Sequence, residues 1–196
     1  MNRRQFLHAG MIIPALPIAA GIPFRNAVAG SLRGSNPIRM HKLIFDERFP
    51  EGRAFAAQAD RLGLSTHAIR GDVTDLWYHD LDLRWRKGPS AIAGMTTGDS
   101  LFCLERLAWD REMRVVFRAE HSCLPGGFTE HRLYGPVRLL EHAADLLKGQ
   151  ADWGGPVAQL VAGCPADRSA VSEESIVAGS LDAGAERMPL VSWVIA

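Results

Sequence analysis

Four short polar stretches, each following an apolar run, hold the side chains best suited to chemistry. They are Asp46-Glu47-Arg48, Arg70-Gly71-Asp72, Thr96-Thr97-Gly98-Asp99-Ser100 and Glu120-His121-Ser122-Cys123. The third is the sharpest. Glycines flank two threonines where an apolar run gives way to a helical pattern, which gathers free backbone N–H groups and hydroxyls at a helix N-terminus, a common cradle for anions. It lacks the lysine of a Walker loop and does not fit GxGxxG, so it is no nucleotide fingerprint. Capping by Thr97 or Asp99, with Gly94 allowing close packing, is the structural account of the same residues. Asp46 ends its run where an acidic side chain can hold a ribose, a metal or a catalytic water. Its plain alternative is a turn carboxylate paired with Arg48. An N-cap role is enough to explain Asp72.

Histidine carries acid–base and metal chemistry near neutral pH, and six follow position 30: His41, His67, His79, His121, His131 and His142. His121 and Cys123, with His131 ten residues on, offer three ligand types from one loop and an adjoining strand. That spacing matches no zinc template such as CxxC or HExxH. His121 is the better candidate for a polar or proton-moving contact, whereas His79 and His142 fall on polar sides of helical patterns. Cys103, Cys123 and Cys164 are an odd set. Cys123 and Cys164 occupy loop-like positions that a disulfide can join in an oxidising compartment, and Cys103 lies in a helical pattern as a small buried hydrophobe. No CxxCH, four-cysteine cluster or GxSxG elbow occurs, so nothing points to c-type haem, an iron–sulfur centre or an α/β-hydrolase. Catalytic residues and cofactor stay open. The five tryptophans, Trp77, Trp85, Trp109, Trp153 and Trp193, fit a core better than a pocket.

The first 29 residues contain Arg3, Arg4 and Arg25 and no acid. An apolar stretch, Ala9–Phe24, is short of the roughly 20 residues that span a bilayer and is interrupted by Gly10, Pro14, Pro17, Gly21 and Pro23. Ala27-Val28-Ala29 supplies the small-x-small exit, so cleavage is expected after Ala29, leaving no stable transmembrane anchor. Asn2-Arg3-Arg4-Gln5-Phe6-Leu7 resembles the twin-arginine (Tat) export signal, with His8 where that pattern often has Lys. The resemblance covers about 30 residues and says nothing about the fold that follows. It implies passage through the Tat translocase in a folded state, and a periplasmic or secreted destination. It also implies that a signal-less partner can be carried across with the chain.

The elements that carry these residues are legible in outline. The chain has 196 residues, enough for one domain and a short appendage. It is 47% apolar and 22% charged, which excludes disorder and collagen-like repeats. Its 22 basic residues balance 22 acidic ones; removing residues 1–29 leaves 19 against 22, a formal charge of −3. Such a surface gives no support for nucleic-acid binding. Residues 30–40 are expected to form a flexible leader, and 41–196 a single α/β domain.

Strands are expected at Lys42–Phe45, Leu64–Ile69, Ala91–Met95 and Arg114–Ala119, with helices near Glu51–Leu62, Val73–Trp85 and Leu101–Trp109 between them. This alternation predicts a three-layer α/β fold around a mostly parallel sheet of about five strands with crossover helices. His121–Gly127 is expected as a loop, Phe128–Tyr134 as a strand, and helices after Pro136 and Gly154. The polar segment 165–187 is expected to be irregular or helical near Ser172–Ala178, before a last strand at Leu190–Ile195.

Ligands of open parallel sheets sit outside the carboxyl ends of the strands. The expected ligand-binding set is therefore Asp46, Arg48, Thr96, Thr97, Gly98, Ser100 and His121 around one cleft. Two function classes follow. One is an exported α/β protein that binds a small polar or anionic molecule at that rim, with catalysis open. The other is a non-catalytic accessory subunit co-exported with a partner such as an oxidoreductase.

Overall fold

The computed structural model describes residues 36–150, 152–167, 170–179 and 188–196. The export signal expected over 1–29 lies outside the described residues. Among them, no helix is long and apolar enough to cross a membrane.

The buried run β1 (Lys42–Asp46) leads into α1 (Pro50–Arg61), which starts on a proline already set to helical φ. Strand β2 (Thr66–Ile69) follows. Helix α2 is a continuous run of three pieces, Thr74–Leu76, a π turn over Trp77–Leu81, and Asp82–Trp85. Leu76 and Leu81 are five residues apart, more than the α period aligns, and the wider turn lets both be buried. β3 (Ile92–Thr97) is buried along its whole length, and α3 (Gly98–Trp109) turns Leu101, Leu104 and Ala108 inward.

Beyond α3 the chain changes character. β4 (Val115–Leu124) and β5 (Phe128–Pro136) form a long hairpin whose turn uses Gly126 and Gly127 at φ 88° and 78°, where a side chain is strained. α4 (Val137–Leu147) and α5 (Gly154–Ala162) precede β6 (Val171–Gly179) and β7 (Leu190–Ile195).

All seven strands make one sheet in the order β2-β1-β3-β7-β4-β5-β6. β1 pairs in parallel with β2 and β3, and every other neighbouring pair is antiparallel. The fold is α/β, with a single mixed sheet and five helices. The expected sheet of about five mostly parallel strands is thus corrected on both counts. The four expected strands do run in one direction, but β7 inserts antiparallel between β3 and β4. A fully buried run such as Leu190–Ile195 carries no mark of its direction or neighbours.

Two apolar clusters hold helices on opposite faces of the sheet. On one face, Phe55 and Ala59 of α1, Leu139, Leu140 and Ala143 of α4, and Val157 and Val161 of α5 pack with Leu43, Met95, Phe117, Leu133 and Val194. On the other, Leu76, Leu81 and Trp85 of α2 and Leu101 and Leu104 of α3 meet Ile44, Ile92, Trp193 and Ile195.

Three further expectations change. His121–Leu124 belongs to β4 rather than to a loop, so the turn is confined to Pro125–Gly127. Ser172–Ala178 is strand, not helix, because β5 pairs with it residue for residue from Phe128↔Gly179 to Pro136↔Val171. The second half of the expected leader is pinned: Pro37 bridges Pro165, and Ile38 N–H donates to the Cys164 carbonyl at 2.8 Å.

Candidate functional site

The sheet register aligns the carboxyl ends of β1 and β3. Phe45 pairs with Met95, which sets Asp46 beside Thr96; Thr96 in turn pairs with Val191, and Val191 with Glu120. Between β1 and β3 the topology switches: α1 carries the chain over one face to β2, and α2 returns it over the other to β3. Open α/β sheets bind their ligands at such a point.

Asp46 is fully buried there, and its carboxylate accepts a forked pair of bonds from Arg48, Nε at 2.9 Å and Nη2 at 2.6 Å. The Arg48 backbone N–H adds a third at 3.1 Å. Asp46 in turn raises the Arg48 pKa, mainly through the side-chain hydrogen bond, so this cation is charged at every working pH. Its guanidinium lies over Gly71, where any β-carbon would meet Nη2 at 2.6 Å and where φ is 87°. Only glycine lets the arginine fold down onto the rim.

The same glycine ties in α3. Ser100 Oγ donates to the Gly71 carbonyl at 2.8 Å, and Thr97 Oγ1 lies 3.3 Å from Ser100 Oγ. Thr97 occupies the N-cap position with extended backbone, yet no side chain caps the helix. Gly98 and Asp99 are exposed, and Ser100 ties the first turn of α3 to the same Gly71 that lies under Arg48. The expected caps, Thr97 and Asp99, do not fill this role. Thr96 points into the core instead: it accepts from Trp193 Nε1 at 3.1 Å and donates to the Thr97 carbonyl at 3.0 Å. Farther out, Arg70 donates to Glu47 at 2.5 Å.

Of the seven expected ligand-binding residues, Asp46, Arg48, Thr97, Gly98 and Ser100 gather at this rim, and the Thr96 side chain faces Trp193 instead. His121 stands at the same level of the sheet, since His121, Leu190 and Thr97 are in register. Its side chain, however, lies on the face of α1, α4 and α5. A one-residue alternation decides this, because β4 turns Phe117, Ala119 and His121 to that side. The expected single cleft is divided by the sheet, and His121 is not part of the rim.

On its own face His121 joins a buried polar cluster. Its Nδ1 lies 2.7 Å from His131 Nδ1, and its Nε2 lies 2.9 Å from Ser192 Oγ. Trp153, just ahead of α5, covers both rings at centroid distances of 4.4 and 5.1 Å. Burial drives both imidazoles toward the neutral form, His121 well below its usual range and His131 to about 4. Serine, base and second imidazole are connected as a nucleophile–base relay would be. Ser192 is fully buried under its neighbours, so the chain of bonds fixes the β5-β4-β7 register and offers no nucleophile to a substrate. The signal for this cluster was present in the sequence: His121 and His131 are symmetric about Gly126, the centre of the hairpin.

Metal ligation by His121, Cys123 and His131 gains no third partner. Among the described residues no group of three His, Cys, Asp or Glu side chains is placed to hold an ion. The expected disulfide is corrected too. Cys123 lies exposed near the carboxyl end of β4, whereas Cys164 is buried where residues 36–38 are tied, beside the strand starts. A bridge needs Cα atoms within about 7 Å, and these sit at opposite ends of a ten-residue strand. Cys103, expected to be buried, is exposed.

No family model matches the chain, and neither does any curated protein or solved structure.

Proposed function

We propose that this chain is an exported α/β protein that binds a small polar or anionic molecule at the carboxyl rim of β1 and β3. One observation carries the reading: the uncapped first turn of α3 opens beside Arg48, whose guanidinium is locked onto buried Asp46. Arg48, its charge paired with Asp46, supplies its remaining guanidinium N–H donors, and the Gly98 and Asp99 N–H groups supply donors with the helix dipole behind them. The ligand class is thus a carboxylate or phosphate of small size. Asp46 positions the arginine and stays out of reach of the ligand. The arrangement supports binding and names no acid, base or nucleophile, so no reaction is assigned.

The Arg3-Arg4-containing N-terminus supports export through the Tat translocase, with cleavage after Ala29 and delivery to the periplasm or beyond. The test is a native mass spectrum of the protein purified from its own periplasm. A retained small anion that disappears in Arg48→Gln supports the reading. An unliganded spectrum, together with no change in Arg48→Gln, opposes it.

The second reading, an accessory subunit co-exported with a partner such as an oxidoreductase, has its own observation. The face of β5 and β6 turned away from α4 leaves Phe128, Tyr134 and Val177 half exposed, between charged pairs Arg118–Glu120 and Arg132–Glu130. Gel filtration separates the two. A stable folded monomer favours the ligand binder, and a chain soluble only with a co-expressed neighbour favours the subunit.

A further inference from the structure

At the opposite end of the sheet from the rim, a cleft of about 610 Å³ opens where β4 begins and β5 and β7 end. It falls within the range of roughly 300–1,000 Å³ that holds small molecules. Its walls are built by specific ties. Ile38 N–H bonds to Cys164 and Ala166 N–H to Asn36, which fastens the entering chain to the loop after α5. Across from that wall, Pro136 pairs with Val171 at the end of the β5–β6 ladder. The backbone of Arg114 exchanges both hydrogen bonds with Ala196 and closes the floor.

The chemistry of the lining is two-sided. Ile38, Val115, Val116 and Val171 give apolar surface. Arg39 and Arg114 stand at the same cleft, both exposed, and among the described residues neither makes an ion pair. Arg114 is oriented by donating to the Met113 carbonyl at 2.8 Å and by lying 5.7 Å from the Trp109 ring. Among the described residues, Asp167 is the one acidic side chain of the lining, set against the two arginines.

A second, independent feature marks the same place. The β4–β7 register slips between Val115 and Phe117, which leaves Val116 as a bulged residue without a β7 partner. Bulges re-aim side chains and end pairing, and they concentrate near sites. Here the bulge sends Val115 to the α2–α3 side and Val116 to the other, with both lining the cleft.

We propose that this cleft is a second ligand site, built for a small monocarboxylate with an apolar tail. The carboxylate lies between Arg39 and Arg114 and the tail along Val115, Val116 and Val171. A dianion is disfavoured by Asp167, and an organic cation by both arginines. The inference stands apart from the rim: the two sites share no residue.

Calorimetric titration of the folded Arg48→Gln variant, in which the rim site is disabled, with octanoate, octylammonium and inorganic phosphate tests it. The expected result is saturable one-to-one binding of octanoate and none of octylammonium or phosphate. The double variant Arg39→Gln/Arg114→Gln should weaken octanoate at least tenfold, and Val171→Trp, on an exposed wall, should block the tail independently. Circular dichroism confirms that each variant is folded. Absent or non-saturable octanoate binding overturns the proposal. So does equal binding of octylammonium, or an octanoate affinity unchanged in the double arginine variant.

Discussion

His121 and His131 meet across the β4–β5 hairpin with Nδ1 atoms 2.7 Å apart, so one ring must donate and the other accept. Both are neutral in the fold, and neither has a carboxylate among its hydrogen-bond partners. In the unfolded chain each titrates near 6.5, whereas His131 in the fold titrates at about 4. Between those values the unfolded state binds more protons, so stability is complete above pH 6.5 and declines as pH falls toward 4. For His131 that displacement corresponds to about 3 kcal/mol at about 1.4 kcal/mol per unit. Thermal melts from pH 7 to 4 should show this decline, and His131→Gln should flatten it. An acid limb identical in His131→Gln would assign the decline to other groups.

Gly94 lies where β3 passes closest to its neighbours. A β-carbon there would run into the Ile44 carbonyl and meet Trp193 Cζ2 at 2.7 Å. Both obstacles belong to fully buried residues, so neither can move aside freely. Gly94→Ala should cost about 1–3 kcal/mol, the usual range for overpacking, read as a lower urea midpoint. An unchanged midpoint would show that β3 can shift.

The three thiols should behave differently. Cys103 and Cys123 are exposed, whereas burial, helped by Asp167, pushes the Cys164 thiol up to about 12. A thiol reagent should label two cysteines in the native protein and the third only after unfolding. Native protein with a single reactive thiol would restore the Cys123–Cys164 bridge.

The proposed Tat route makes export depend on the paired arginines. Arg3-Arg4→Lys-Lys should leave uncleaved precursor in the cytoplasm, seen by fractionation and immunoblotting. Normal delivery of that variant would move the signal to the general secretory class.

The fold was legible wherever a residue's own neighbours determine its state. Lys42–Asp46, Ile92–Thr97 and α3 follow from apolar runs and helical spacing, and they contain most of the rim. Val171–Gly179 was not legible. Ser172, Glu173, Glu174 and Ser175 carry helix-like composition, and only pairing with β5 makes them a strand. β7 was visible as a strand but not as the antiparallel insertion between β3 and β4, which is a long-range choice. His121 failed as a rim residue for a smaller reason. Reading it as loop hid the two-residue alternation of β4, which alone decides that it faces His131 and Trp153.

The rim site rests on two donors, Arg48 and the first turn of α3, acting on one anion. The most direct measurement is a ¹H–¹⁵N NMR titration of the folded chain with inorganic phosphate, following the Gly98, Asp99 and Ser100 amides and the Arg48 Nε signal. Saturable shifts confined to those groups, and abolished by Arg48→Gln while Thr97→Val only weakens them, are the predicted result. Arg48 and α3 signals that stay still while phosphate is added, or that shift equally in Arg48→Gln, would contradict it.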